Sequence, residues 1–310
     1  MNIDGNAIVA NATAKVAEDA ALGTWNKIKK FFKDVNRHEE IVFGTAYEEY
    51  LENTSKRNSK VKTLIYRHVP KELYSFYECV GVQYNDKIIK TDNIENIISI
   101  NNKIIITGTG GIGKTTLLKH LFLNTIKETT YIPVLIELRT ANGIELEKLC
   151  IKRIIYDNLV NNGFKIEEEY FDYSMEQGAY IILFDGFDEV NREKIQKITT
   201  EITDLSNKYP QNRYIITSRP TDDFLGWNDY VEMQSMELSK EQALHLIEKI
   251  EFDENVKKIF YKELDETLYD KYQSFASNPL LLTIMLLTFD NRASIPDKLN
   301  DFYEQAFATL

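Results

Sequence analysis

Residues 102–122 read NKIIITGTGGIGKTTLLKHLF, and the parsing of this stretch decides the fold. Lys103-Ile104-Ile105-Ile106-Thr107 is a short β-branched run, suited to a strand buried on both faces. Gly108-Thr109-Gly110-Gly111-Ile112-Gly113-Lys114-Thr115 follows and fits the pattern G-x-x-x-x-G-K-[ST] in full. Glycines let the backbone curl until successive N–H groups converge, a geometry that takes phosphate oxygens. A helix starting near Lys114 adds its positive dipole end. In such a loop Lys114 reaches the β and γ phosphates and the Thr115 hydroxyl ligates Mg²⁺. Thr116 is a further polar group at the helix start. The same letters hold a rival parse. Gly108-x-Gly110-x-x-Gly113 is also a dinucleotide fingerprint, which needs an acidic residue about 20 positions on. Glu128 has that offset, but it precedes the next apolar run instead of ending it, and Lys114-Thr115 would be left without a role. The phosphate loop is the better reading.

Outward from the loop, strands and helices alternate. Tyr131–Leu138, Ala179–Phe184 and Arg213–Thr217 read as strands, with a fifth over Tyr230–Met236. Pro133 is tolerable near a strand start or on an edge. Helices are expected over Ile144–Leu159 and Asn191–Tyr209. This rhythm implies an α/β fold, a parallel sheet flanked by helices, with ligand at the carboxyl ends of the strands.

Upstream, residues 5–35 and Glu39–Glu52 look helical, Asn53–Lys60 reads as a polar linker, and Arg67–Val82 is aromatic-rich. Asn85-Asp86 leads into a helix-like stretch, Thr91–Ser99. The expected organisation is a helical amino-terminal segment over 1–60, a lead-in over 61–100, the sheet core over 101–236 and a helical subdomain over 237–310. The first segment is either an effector or oligomerisation helix or a helix docked on the next domain.

Composition narrows the partners. The 310 residues are 43% hydrophobic and 27% charged, as in a soluble globular protein with a sizeable core. A formal charge of −11 argues against nucleic acid as main partner. The two cysteines, Cys79 and Cys150, have no metal-ligand spacing, so a cytoplasmic setting is expected. No signal peptide and no run of 18 apolar residues stands out.

The third and fourth strands add chemistry. Tyr180-Ile-Ile-Leu-Phe-Asp185 is an apolar strand ending in a carboxylate, placed to hold Mg²⁺. Gly186-Phe187-Asp188-Glu189 follows directly. Crowded carboxylates repel one another unless a cation is near. Glu189, with Asp188 as rival, is the candidate general base for an attacking water; capping of the next helix is the structural alternative. Arg219, in Thr217-Ser218-Arg219-Pro220, would put a guanidinium near a γ-phosphate, or pair with a surface carboxylate. Arg139 is a weaker candidate of the same kind.

Gly108–Thr115, the block Ile181–Glu189 and Thr217-Ser218-Arg219-Pro220 together resemble a NACHT domain, a branch of the STAND group of P-loop signalling ATPases that includes NOD-like immune receptors. Phe275-Ala276-Ser277-Asn278-Pro279-Leu280-Leu281-Leu282 resembles that family's Asn-Pro-Leu segment. The resemblance covers about residues 60–310. It implies ATP/ADP with Mg²⁺ as ligands, slow hydrolysis, and Pro279 against the adenine. It further implies a nucleotide-gated switch that self-oligomerises on an unknown trigger. Leu64–Val82 resembles the lead-in of bacterial NACHT proteins proposed to act against phage. In the family a winged-helix domain follows the helical one. Here the sequence stops within an apolar stretch at Leu310, so a fragment of a longer protein is expected, the alternative being a minimal form in which a partner supplies the sensor. The competing expectation is an AAA-like turnover ATPase that drives remodelling.

Overall fold

The computed structural model describes residues 37–66, 68–165 and 167–292, and of 37–46 and 290–292 the backbone alone. The expected helix over 5–35 and the stretch leading to Leu310 lie outside these residues. The described chain enters through helix α1 (Arg37–Asn58), a ribbon of β1 (Lys60–Val61) with β2 (Lys71–Glu72), and a hairpin of β3 (Val82–Tyr84) and β4 (Lys87–Ile89). Five strands then form the centre: β5 (Lys103–Thr107), β6 (Ile132–Glu137), β7 (Tyr180–Asp185), β8 (Arg213–Ser218) and β9 (Val231–Ser235). Helices α2 (Lys114–Glu128), α3 (Ile151–Asn161), α4 (Glu168–Glu176) and α5 (Arg192–Lys208) connect them.

The spatial order is β4-β3-β9-β5-β8-β7-β6, with the last five strands mutually parallel and β3 antiparallel to β9. The strand–loop–helix parse around the glycine loop therefore holds: β5 is buried along its whole length, α2 starts at Lys114, and β7 is buried up to Asp185. Strands covered by helices on both faces have no polar side to show, which is why they read as continuous apolar runs. α2 packs Leu117, Leu118, Leu121 and Phe122 onto the sheet.

β6 is one edge of the sheet, and Pro133 stands on it as expected. The Tyr50 hydroxyl donates to the Pro133 carbonyl at 2.9 Å, and Asn158 Nδ2 to the Leu135 carbonyl at 3.4 Å. Side chains from α1 and α3 thus satisfy an edge that would otherwise be open to another chain.

Four local expectations are corrected. The linker expected from Asn53 is helical to Asn58. Asn53 and Arg57 hydrogen-bond to Asn162 at 3.1 Å, and Thr54 and Asn58 are buried, so tertiary contact overrides the polar composition. Residues 82–89 form a hairpin turned at Asn85 (φ +52°), not expected as strands. The helix expected from Ile144 starts only at Ile151, after tight turns over Leu138–Gly143 and Leu146–Lys148. Buried Lys194 holds those turns, donating to the carbonyls of Ala141, Asn142 and Ile144 at 3.2, 2.6 and 2.6 Å. The helix-like stretch over Thr91–Ser99 contracts to one turn, Glu95–Ile98.

After β9 comes a helical unit of α6 (Lys240–Lys249), α7 (Glu254–Glu263) and α8 (Pro279–Arg292). Ser239 and Gln242 form a reciprocal cap on α6, and the Asp253 carboxylate caps α7. Its core of Leu246, Ile247, Ile250, Phe260, Leu282 and Met285 is distinct from that of the sheet. The lead-in joins this second core through Val80, and Lys249 pairs with Glu78 at 2.6 Å.

Candidate functional site

Strand register assembles the site. Thr107 lies opposite Ser218, and the Gly108 N–H donates to the Ser218 carbonyl at 3.1 Å. β8 separates β5 from β7, so Thr217, Ser218 and Arg219 emerge between the glycine loop and Asp185. Gly113 caps α2 with φ +97°, and the helix begins at Lys114. Lys114 Nζ donates to the carbonyls of Gly108 and Thr109 at 2.6 and 3.1 Å, folded across the loop it belongs to. Burial pulls its ammonium below the usual value; Asp188 opposes that and Arg219 reinforces it.

The acidic block separates into three environments. Asp185 Oδ1 accepts from the Thr217 hydroxyl at 2.8 Å, and Thr217 in turn accepts from the Gly186 N–H at 3.1 Å. Gly186 turns the chain with φ +74°, and a Cβ there would stand 3.1 Å from the Glu189 carboxyl carbon. Asp188 is committed to Arg219: its Oδ1 accepts the Arg219 backbone N–H at 2.9 Å and its Oδ2 pairs with Nε at 3.1 Å. Glu189 engages through its backbone, its carbonyl accepting from Asn142 Nδ2 at 2.9 Å, and the residue lines the cleft. Arg139 pairs with Glu137 at 2.6 Å.

One cleft of 540 Å³ contains Gly110, Gly111, Ile112, Gly113, Lys114, Thr115 and Thr116 together with Asp185, Asp188, Glu189 and Arg219. Its far end is apolar, lined by Tyr66, Val80, Leu238, Leu246, Ile250 and Pro279. Gly108 and Thr109 stand behind the loop as the acceptors of Lys114. The rival dinucleotide parse fails here, because Glu128 ends a 15-residue helix, about 21 Å from Lys114 at 1.5 Å per residue. The residues fit a nucleotide with Mg²⁺: a glycine-lined cradle, a lysine, the Thr115 hydroxyl, and Asp185 with one oxygen engaged by Thr217. Thr115 and Asp185 would hold the ion. Among the described residues no cluster of His, Cys, Asp and Glu forms an all-protein metal cage.

Two participants were not legible beforehand. Thr217 was visible only as part of a motif; its bridge to Asp185 comes from the β7–β8 register. Asn142 clamps the acidic turn, its Oδ1 accepting the Asn191 N–H at 2.9 Å while its Nδ2 reaches Glu189. No spacing in the sequence pairs residues on these two segments.

Strand order, glycine loop and the carboxylate at the tip of β7 define a P-loop NTPase fold. Residues 102–251 match the family model of the NACHT domain. The chain carries a NACHT domain over that segment. None of the curated proteins matches it. Among solved structures it is similar to a STAND signal transduction ATPase with a tetratricopeptide repeat sensor from Pyrococcus horikoshii, at 19% identity and TM-score 0.42. The match covers 82% of this chain and 34% of that one, so this chain spans about a third of that relative. It is also similar to C. elegans PCH-2 (15% identity, TM-score 0.38, covering 69% and 63%) and to domain III of the Thermotoga maritima replication initiation protein DnaA (13%, 0.37, 70% and 86%). Among the described residues no helix is long and apolar enough to cross a membrane.

Proposed function

We propose that the chain is an ATP/ADP-binding, Mg²⁺-dependent signalling NTPase that works as a nucleotide-gated switch. The observation that carries this reading is a cleft whose phosphate end belongs to the sheet and whose apolar end belongs to the helical unit and lead-in. A nucleotide bound there is touched by both halves, so its phosphate state can bias how they sit. The loop N–H groups and Lys114 take the β and γ phosphates, and Pro279 and its apolar neighbours take the adenine. Mg²⁺ held by Thr115 and Asp185 would offset the negative charge of the phosphates. Glu189 accepts a proton from water as its oxygen bonds to the γ-phosphorus and the bond to ADP breaks. Arg219, oriented by Asp188, stabilises the charge on the transferring group.

Self-assembly on a trigger, and a cytoplasmic setting in bacterial antiphage immunity, complete the proposal; they rest on the sequence resemblance. The test is to identify the nucleotide carried by gently purified protein and to measure hydrolysis, alongside Lys114→Ala and Glu189→Gln. Co-purified ADP that is absent from Lys114→Ala, with slow turnover, is the expected result. An empty site with rapid turnover abolished by Glu189→Gln would replace the switch with a remodelling motor.

A further inference from the structure

The segment Ser277–Leu280 does more than border the cleft. Asn278, 6% exposed, caps α8: its Oδ1 accepts from the N–H groups of Leu280 and Leu281 at 3.1 and 3.3 Å. Its other amide atom reaches across to the sheet, Nδ2 donating to the Gly110 carbonyl at 3.0 Å. The Leu280 N–H also lies 3.3 Å from the Gly111 carbonyl. Contact is close, for a Cβ built on Gly111 (φ +80°) would fall 2.8 Å from Leu280 Cβ and 2.9 Å from Asn278 Oδ1. The segment is itself anchored, with the Ser277 hydroxyl on Glu237 at 2.8 Å and the Leu238 N–H on the Ser277 carbonyl at 2.8 Å.

A planar trans peptide points its carbonyl and the following N–H in opposite directions. Holding the Gly110 carbonyl toward α8 therefore turns the Gly111 N–H away from α8. That N–H donates to no protein group among the described contacts. Two adjacent glycines have little intrinsic preference for this orientation, since both peptide flips are open to them. Something outside the loop has to select it. The geometry points to Asn278 as a positioning residue for phosphate binding. It ties the orientation of the Gly110–Gly111 peptide, and with it phosphate affinity, to docking of the helical unit. Asn278 lies outside the segment that matches the NACHT domain. The inference rests on the reading of the loop as a phosphate site.

The experiment compares ADP and adenosine affinity on the full chain, in wild type, Lys114→Ala and Asn278→Ser. Serine keeps a capping oxygen and removes the amide donor. Loss of one hydrogen bond to the loop is expected to weaken ADP by roughly five- to tenfold and leave adenosine unchanged. Equal weakening of both ligands would overturn the inference, because it would show a purely structural role in packing the cleft. Unchanged affinity for both would also overturn it, since the loop would then orient itself. If Asn278→Ser does not fold, Asn278→Thr carries the same capping hydroxyl and is read the same way. Failure of the underlying reading has a different signature: wild type would not bind ADP better than Lys114→Ala.

Discussion

Asp188 and Glu189 are adjacent, equally charged and equally eligible as a base by sequence, yet Asp188 is held through its side chain and Glu189 through its backbone carbonyl. Asp188 spends both oxygens on Arg219, whose side chain is 66% exposed, so the pair contributes at most about 1 kcal/mol to stability and acts chiefly to orient. Glu189 lines the same cleft, and none of the described hydrogen bonds or ion pairs takes up its carboxylate. Glu189→Gln is expected to slow single-turnover ATP hydrolysis by about 10²-fold or more with ADP affinity unchanged. Asp188→Asn keeps an acceptor for the Arg219 N–H and should cost less; a larger loss in Asp188→Asn would reverse the assignment. His120, on α2, offers a pH test. The Thr91 carbonyl can only accept, so Nε2 carries the proton at 2.9 Å, and Nδ1 accepts from the Tyr74 hydroxyl at 3.1 Å. Burial lowers its pKa from the ordinary 6.5, against a smaller opposing effect of the Thr91 bond and Asp92. Below about pH 6.5 the unfolded chain therefore binds the proton more readily than the folded one, so this stabilisation is full above that pH and lost as pH falls. Urea midpoints from pH 7.5 to 5 should fall more steeply in wild type than in His120→Gln. Parallel curves would remove His120 from the account.

At the scale of elements, α1 belongs to the sheet core along its described side chains. Tyr47 is buried against Phe164 and Tyr180, with its hydroxyl bonded to Ser174 at 3.1 Å and to the Tyr180 hydroxyl. Tyr50→Phe would remove the donor to the Pro133 carbonyl and is expected to cost about 1 kcal/mol in urea unfolding. Tyr47→Ala, which empties a large buried site, should cost about 3–5 kcal/mol. Equal, negligible losses would mean that α1 is peripheral. The elements also show where sequence reading stops. The five central strands were legible because burial on both faces writes itself as β-branched runs. The β3–β4 hairpin was not, although Val82-Gln83-Tyr84 and Lys87-Ile88-Ile89 flank an Asn-Asp turn; three-residue strands carry too little periodicity, and pairing with β9 is what holds them. The end of α1 is not legible because Thr54 and Asn58 are buried in spite of their polarity, and Asn53 and Arg57 bond to Asn162, more than 100 residues away in the chain.

At the scale of the whole molecule, two cores meet across one cleft, so a ligand in it should couple them. ADP at 1,000 times its Kd is expected to stabilise the chain by about 4 kcal/mol, read as a raised denaturation midpoint, and Lys114→Ala should abolish the gain. An equal gain in that variant would place the nucleotide elsewhere. Driving a two-state equilibrium from 1:99 to 99:1 takes about 5.5 kcal/mol of differential binding. On the proposed switch reading, nucleotide at that level falls short, and a trigger or contacts between copies would supply the rest. By itself the sequence determined the phosphate loop, the parallel core and the carboxylate at the tip of β7. Each of these is written locally, in residue types that a tight backbone turn or a doubly covered strand requires. Only the tertiary structure decided which carboxylate is occupied by Arg219, that Thr217 bridges Asp185 and the Gly186 N–H, and that Asn278 holds the loop from the far side of the cleft. Those choices are hydrogen bonds between segments up to 168 residues apart, and nothing in the local spacing of either partner encodes the other.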